Sequence, residues 1–388
     1  MTKKLCFIKF KLLNGDWLLM HEHDQFTELK HCFIRYTDVE IVDFSEMDEN
    51  TTLFVGFSDW RSFDVILPSL KKQLQHRKFK KIFYDVSGYD LQEVSEDFFL
   101  ACESLIDVDC GIISGNLLSK RQNHFWFPAL MFHYTGVDDV NYSSFESLRN
   151  IERTQHQFLR KYKGIYHVGH TRYHKVEMLE FLHQRGYLND FMWGSTAPDY
   201  DLGIIDDLVP RVFKEKFNSF DILKQLPYFH DYQGYDDYNI RGNSFNLVSY
   251  LDSYFEIVAE TRFYHITPDM GGGTLHTSKT WGHISEKIMR PTFTGHPFVF
   301  LGKPNVLQAL ENLGLKYRFD FWNHDYDQIE DAAQRMVHAQ KFVDKIVSME
   351  KRELSEFKKE YNNFTKDNCK IMYFDLLKNA TEKIYTEV

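Results

Sequence analysis

The residues of this chain whose types and spacing point most directly to chemistry lie in SEKIMRPTFTGHPFVFLGKP, residues 285–304. Ser285 is a fair N-cap and Glu286 a favourable first-turn carboxylate, so a solvated helix start explains both. It explains Lys287 poorly, because the helix dipole opposes a cation at an N-terminus. A phosphate there would reverse the sign. Backbone N–H groups and Lys287 would bind a diphosphate while Glu286 takes ribose hydroxyls. Upstream, YFEIVAET ends in Glu260 and Thr261, and Gly271-Gly272-Gly273 lies in the loop between. Three glycines are common, but their freedom suits a loop that closes on a ligand. Two readings therefore stand side by side: a solvated first turn, and a grip on a nucleotide.

Elements able to hold such a site can be read on both sides of it. Residues 1–150 alternate short β runs with helical spacing. Candidate strands are Lys4–Leu13, Cys32–Tyr36, Thr52–Phe57, Lys81–Asp85 and Cys110–Ser114, with a helix over Phe63–His76. That is the pattern of a parallel sheet. A second series follows the polar segment Ser143–Tyr162. GIYHVG, YFEIVAET and HPFVFLG read as strands; HKVEMLEFLHQRGYL, SEKIMRPTFTG and NVLQALENLGL read as helices. The rest supplies long terminal helices. The expected organisation is α/β: a domain at 1–150, a second at 151–345, and helices at 346–388 returning toward the first.

Bulk properties fit that plan. A chain of 388 residues is long for one core, and 43% apolar and 16% aromatic residues can fill two. A net charge of −10 argues against a surface built throughout to coat nucleic acid. Five scattered cysteines without a CxxC pair make neither a disulfide framework nor a zinc knuckle. No apolar run approaches the roughly 18 residues of a membrane span, and no signal-peptide core opens the chain. A cytoplasmic protein (in the host cytoplasm, if viral) with no membrane span is expected.

The pattern YFEIVAET…SEKIMRPTFTGHPFVFLG resembles the donor-binding segment of α1,3-fucosyltransferases. It is more similar still to a group of viral and bacterial glycosyltransferase-like proteins. In those, a Glu-Lys helix and a G-x-P-F strand precede a leucine-rich helix and an aromatic-acidic turn, here VLQALENLGLKYRFDFWNHDYDQIEDAAQR. The resemblance covers about residues 160–340. It departs where Glu260 is followed by Thr-Arg rather than Asn-Ser, and in a longer loop before Glu286. It implies a GT-B-like fold, two Rossmann-like domains facing across a cleft, and a glycosyltransferase moving a sugar from a nucleotide-sugar donor to a glycan or protein hydroxyl. Glu286 would bind the donor ribose and Lys287 a phosphate, with Glu260 beside them. Arg172, in GHTRYHK, would hold the diphosphate, whose charge grows as the glycosidic bond breaks; the alternative is an ordinary helix-start arginine. The resemblance implies inversion, so a base must take the acceptor proton. Asp59 in GFSDWRSFD and Asp85 in FYDVSGYD are the candidates, with His124 in RQNHFWF behind them; either aspartate could instead cap a helix.

Other stretches are weighed against plainer explanations. His21-Glu22-His23-Asp24 has metal-type residues, but adjacent side chains diverge and no distant ligand completes a set. Asp325-Tyr326-Asp327 fits a DxD motif in letters only, so no metal or other cofactor is expected. The acidic loop HDYQGYDDYN, residues 230–239, could stack a sugar or simply be surface. KKQLQHRKFKK, residues 71–81, is either a solvated helix face or a phosphate-backbone footprint. The latter would suit an enzyme glycosylating hydroxymethylated DNA bases. A non-catalytic nucleotide- or glycan-binding protein of the same fold is the remaining alternative.

Overall fold

The computed structural model describes residues 2–13, 16–20, 28–57, 63–87, 96–128, 146–147, 149–151, 159–168, 172–195, 216, 219–226, 228–229, 247–260, 263, 284 and 286–388. Of these, residues 9–13, 16–20, 28, 63–66, 96–99, 229, 247–248 and 286 are described by their backbone alone. Met1–His133 with Phe374–Val388 forms one compact unit, and Tyr134–Tyr373 a second. Both are α/β, each built on a mostly parallel sheet.

In the first unit the strands are β1 (Lys3–Leu13), β2 (Asp16–Met20), β3 (Val39–Ile41), β4 (Thr51–Phe57), β5 (Lys81–Asp85), β6 (Cys110–Ser114) and β7 (His124–Trp126). Six run parallel in the order β3-β1-β4-β5-β6-β7, and β2 folds back antiparallel on β1. Register sets Phe7 beside Phe54 and Phe54 beside Phe83. Their rings stack at 4.6 and 5.0 Å, an aromatic ladder across three strands. Helices α1 (Glu28–Tyr36), α2 (Phe63–Leu74) and α3 (Glu96–Glu103) lie between strands in sequence. Cys32–Tyr36, expected as a strand, is thus the end of α1. Leu29, Cys32 and Phe33 are buried while Ile34 is exposed, the i, i+3, i+4 stripe of an amphipathic helix. Burial period outweighed the β-propensity of Phe-Ile and Tyr. The last helix, Leu376–Glu387, adds Leu377, Ala380 and Ile384 to this core. Lys3 and Lys80 donate to the carbonyls of Tyr385 and Val388 (2.6 and 2.7 Å), placing cations at the helix's negative end.

The second unit contains β8 (Gly164–Val168), α4 (Tyr173–Gln184), β9 (Phe191–Ser195), β10 (Tyr228–Phe229), α5 (Leu247–Leu251), β11 (Phe255–Ala259), α6 (Glu286–Thr294), β12 (Phe298–Leu301), α7 (Val306–Asn312), α8 (Ala332–Ser348) and α9 (Lys351–Phe364). Its sheet runs β10-β9-β8-β11-β12, with only β10 antiparallel. From β8 the chain moves outward to β9, whereas β11 returns to β8's other side. The strand order therefore reverses between β8 and β11. Helix α6 ends in a Schellman turn: Gly295 has φ +67°, His296 N–H donates to Pro291 (2.9 Å) and Gly295 N–H to Thr292 (3.4 Å). Arg149, fully buried, donates to the carbonyls of Thr292, Phe293 and Thr365, and so closes the ends of both α6 and α9. A Cβ at Gly295 would stand 2.8 Å from the Asn362 amide and 3.1 Å from the Arg149 guanidinium.

A buried polar knot lies at the amino end of β11. Glu256 accepts from Tyr250 Oη (2.8 Å), and Lys358 donates to the carbonyls of Tyr250 and Ser253 (2.9 Å each). Burial pushes the Glu256 carboxyl up to about 7, against the opposing pull of Arg290 and the Tyr250 hydroxyl.

Two predictions follow from this architecture. Gly295→Ala meets both a left-handed backbone and crowded neighbours, whereas Gly186, at φ +72°, faces open space. Gly186→Ala should cost about 1–2 kcal/mol from backbone strain alone, and Gly295→Ala clearly more, in urea denaturation of the two variants. Glu256 is protonated more readily folded than unfolded. Its stabilising contribution is full below about 4.5 and is lost as pH rises through about 7. Glu256→Gln should therefore gain thermal stability over wild type between pH 5 and 8, and an unchanged difference across that range would refute the assignment.

Candidate functional site

The carboxyl ends of parallel strands beside an order reversal are where α/β sheets bind ligands. In the second unit that place is the end of β8 and β11. Arg172 precedes the first residue of α4, in extended conformation (φ −96°, ψ 151°), and is half-buried. Glu260 follows β11 directly and is buried; its N–H continues the ladder to Leu301 (2.9 Å), and its carbonyl accepts from His174 Nε2 (2.8 Å). Strand alternation sends Glu256, Val258 and Glu260 to one face. Arg290 of α6 acts on Glu256, so α6 covers that face. Because α6 links two parallel strands it runs back along β11. Its first turn, with half-buried Lys287, therefore lies toward the Glu260 end. Glu286 is the first residue of this helix, and its side chain is outside the description. The structure thus gathers Arg172, Glu260 and the start of α6 at one edge.

That edge also carries residues the sequence reading passed over. Lys303, buried, stands two residues beyond β12. His174 is wholly buried, and burial together with the charges of Lys175, Arg172 and Arg335 holds its imidazole well below the usual range, despite its bond to Glu260. His174 was visible in the same GHTRYHK segment as Arg172. Arg335 was not, since it comes from α8.

In the first unit Asp85 ends β5 and is half-buried. Its Oδ1 accepts from Ser87 N (2.9 Å) and Ser87 Oγ (2.6 Å), an Asx-type turn. His124 is buried with Nε2 2.7 Å from Ser114 Oγ. Burial, then Lys383 and Arg121, press it down to about 4, so it is a neutral core histidine at ordinary pH. Asp59, His21–Asp24, Gly271–Gly273 and the loop 230–239 lie outside the described residues. Asp327 is buried, its carboxyl raised to about 7 by burial, with Oδ2 3.4 Å from Gln308 N at the start of α7. Its DxD letters serve a helix start. Among the described residues no group of three or more His, Cys, Asp or Glu converges as metal ligands, and no helix is long and apolar enough to cross a membrane.

The basic run divides in two. Lys80 bonds the Val388 carbonyl, and buried Lys81 pairs with Asp109 (2.9 Å) and Glu387 (3.8 Å). Lys71, Lys72 and Lys78 are exposed, while Arg77 lies over the Phe44 ring (4.5 Å). Replacing Lys71, Lys72 and Lys78 together by Ser should leave the melting temperature nearly unchanged, each within about 0.5 kcal/mol. Lys81→Ala should lower stability by about 1 kcal/mol through lost pairing and stem packing. Differential scanning calorimetry separates the two.

No protein-family model, curated protein sequence or solved structure matches the chain in comparisons with each.

Proposed function

We propose that the protein is a glycosyltransferase using a nucleotide-activated sugar, with its two α/β units arranged in the GT-B manner and Tyr134–Tyr373 as the donor unit. What carries the reading is the sheet topology, which puts Arg172 and Glu260 beyond the carboxyl ends of β8 and β11, beside the order reversal, and directs the first turn of α6 to the same end. The Glu-Lys helix pattern shared with α1,3-fucosyltransferase-like donor segments supports it. In this reading Glu286 and Glu260 take ribose hydroxyls, while Lys287, Arg172 and the α6 backbone N–H groups hold the diphosphate. An acceptor hydroxyl on a glycan or protein attacks the anomeric carbon. The bond from that carbon to the diphosphate breaks, and the departing charge is met by guanidinium and ammonium rather than by a metal ion. Inversion follows from a single displacement, with Asp59 or Asp85 receiving the acceptor proton.

A second reading has an observation of its own. Asp85 is engaged by Ser87 and His124 is buried against Ser114, so neither is poised to act as a base. A nucleotide-binding protein without turnover fits that state. Incubation with a radiolabelled panel of UDP-, GDP- and CMP-sugars and candidate acceptors decides: transfer supports the enzyme, and binding without transfer the binder. For either, Arg172→Ala and Lys287→Ala should each weaken nucleoside diphosphate binding by about 1.5–3 kcal/mol in calorimetric titration, the range for charge-assisted hydrogen bonds. Unchanged affinity in both, with native circular dichroism, would place the nucleotide elsewhere.

A further inference from the structure

The segment leaving β11 is held from two directions at both of its described ends. At the first end, His174 of α4 reaches the Glu260 carbonyl at 2.8 Å. A carbonyl only accepts, so the imidazole proton must sit on Nε2. At the second end, the His174 ring lies against Phe263, centroids 5.3 Å apart and planes 15° from parallel. Arg335 of α8 covers the same phenyl ring, Cζ 4.5 Å from its centroid. One Arg335 nitrogen donates to the Phe263 carbonyl (2.7 Å), another to the carbonyls of Ile329 and Glu330 (2.6 and 3.0 Å). One imidazole and one guanidinium thus grip two backbone carbonyls and one ring across residues 260–263. The Glu260 backbone has no freedom left: its N–H is committed to Leu301 and its carbonyl to His174.

We infer that His174 and Arg335 are positioning residues for the subsite at the end of β11, fixing the direction in which Glu260 leaves the sheet. The inference rests on the nucleotide-sugar reading of that edge. A carboxylate that takes two ribose hydroxyls must be set to within a fraction of an ångström, and a side chain at a strand exit inherits its direction from the backbone. Core packing alone would be satisfied by any ring stacked on Phe263. The hydrogen bond to Glu260 specifically needs a donor at Nε2. A neutral imidazole supplies one without adding a charge to an edge where Lys175, Arg172 and Arg335 already act on it.

The test compares His174→Phe, which keeps a ring and loses the donor, with His174→Gln, which keeps an N–H donor and loses the ring. His296→Phe is the control: His296 is equally buried, but it lies beside Ser253 at the amino end of the sheet. Dissociation constants for UDP, GDP and CMP are measured on the full chain well below each melting temperature. The expected result is about a tenfold loss in His174→Phe for the nucleotide wild type binds best, the effect of one misplaced hydrogen-bonding group. His174→Gln should recover most of it, and His296→Phe should bind as wild type does despite reduced thermal stability. Arg335→Lys, which keeps the charge but cannot bridge three carbonyls, should also lose affinity. Wild-type affinity in His174→Phe overturns the inference and leaves the nucleotide site standing. Equal losses in His174→Phe, His174→Gln and His296→Phe mark a general packing effect and also overturn it. A wild-type protein that binds none of the three nucleotides overturns both.

Discussion

The buried guanidinium of Arg149 is the contact on which the geometry of the second unit turns. Taking a guanidinium out of water is costly unless its donors are met. Here they meet the carbonyls of Thr292, Phe293 and Thr365. Those carbonyls are the orphan acceptors at the ends of α6 and α9, where the helix dipoles are negative. One cation therefore satisfies two helix ends and ties them to each other. Gly295 belongs to the same device, since its left-handed turn and missing Cβ leave the space that Arg149 and Asn362 occupy. Pinning α6 at its far end fixes where its first turn points, and that turn is what the proposed site requires.

The opposite border of this sheet is closed by an aromatic turn rather than by another strand. Pro297, just before β12, and residues 299 and 301 within it turn their backbone groups toward β11, leaving those of 298 and 300 outward. Phe298 O accepts from Trp322 Nε1 (2.9 Å), and Phe300 N–H donates to Tyr326 Oη (2.8 Å). Side chains thus complete a hydrogen-bond ladder that would otherwise offer an edge to other chains. Trp322 is wholly buried, with Phe357 stacked at 5.0 Å and Phe342 and Phe255 edge-on. Among the described residues, this cluster and the phenylalanine ladder of the first sheet are where aromatic rings fill core.

Much of this was legible, because short buried strands and helical stripes are local signals. The parallel strands β4, β5, β6, β8, β11 and β12 and the helices α2, α4, α6 and α7 announce themselves that way, whereas the short α3 and α5 do not. Cys32–Tyr36 misled because five residues rich in Phe, Ile and Tyr fit a strand; only the neighbouring Leu29 reveals the helical period. Phe191–Ser195 escaped notice because a glycine breaks its β run. Arg149 could not be read at all: its partners lie 143, 144 and 216 residues away. At the candidate site the residues themselves pointed to the Glu286-Lys287 helix start, and only the family resemblance joined Glu260 and Arg172 to it in one donor site. Their shared edge is a property of strand order, which no local spacing encodes. Asp85 shows the reverse case. A D-x-S stretch at a strand end is a local turn signal, and the observed bonds to Ser87 are the ones that signal implies.

Glu256 in β11 and Glu260 just beyond its end share one face, yet their surroundings differ in a way that bears on function. Glu256 meets the middle of α6 through Arg290 and is sealed in a knot of tyrosine, serine and lysine. Glu260, two strand repeats onward, lies toward the positive end of the same helix. A carboxylate there is favoured by the dipole that disfavours Lys287 in the adjacent turn. Arg149 compensates the negative end of α6, and Glu260 lies toward the positive one. In the proposed function the donor diphosphate meets Lys287, Arg172 and the α6 backbone N–H groups at that positive end, where the sheet's strand order reverses.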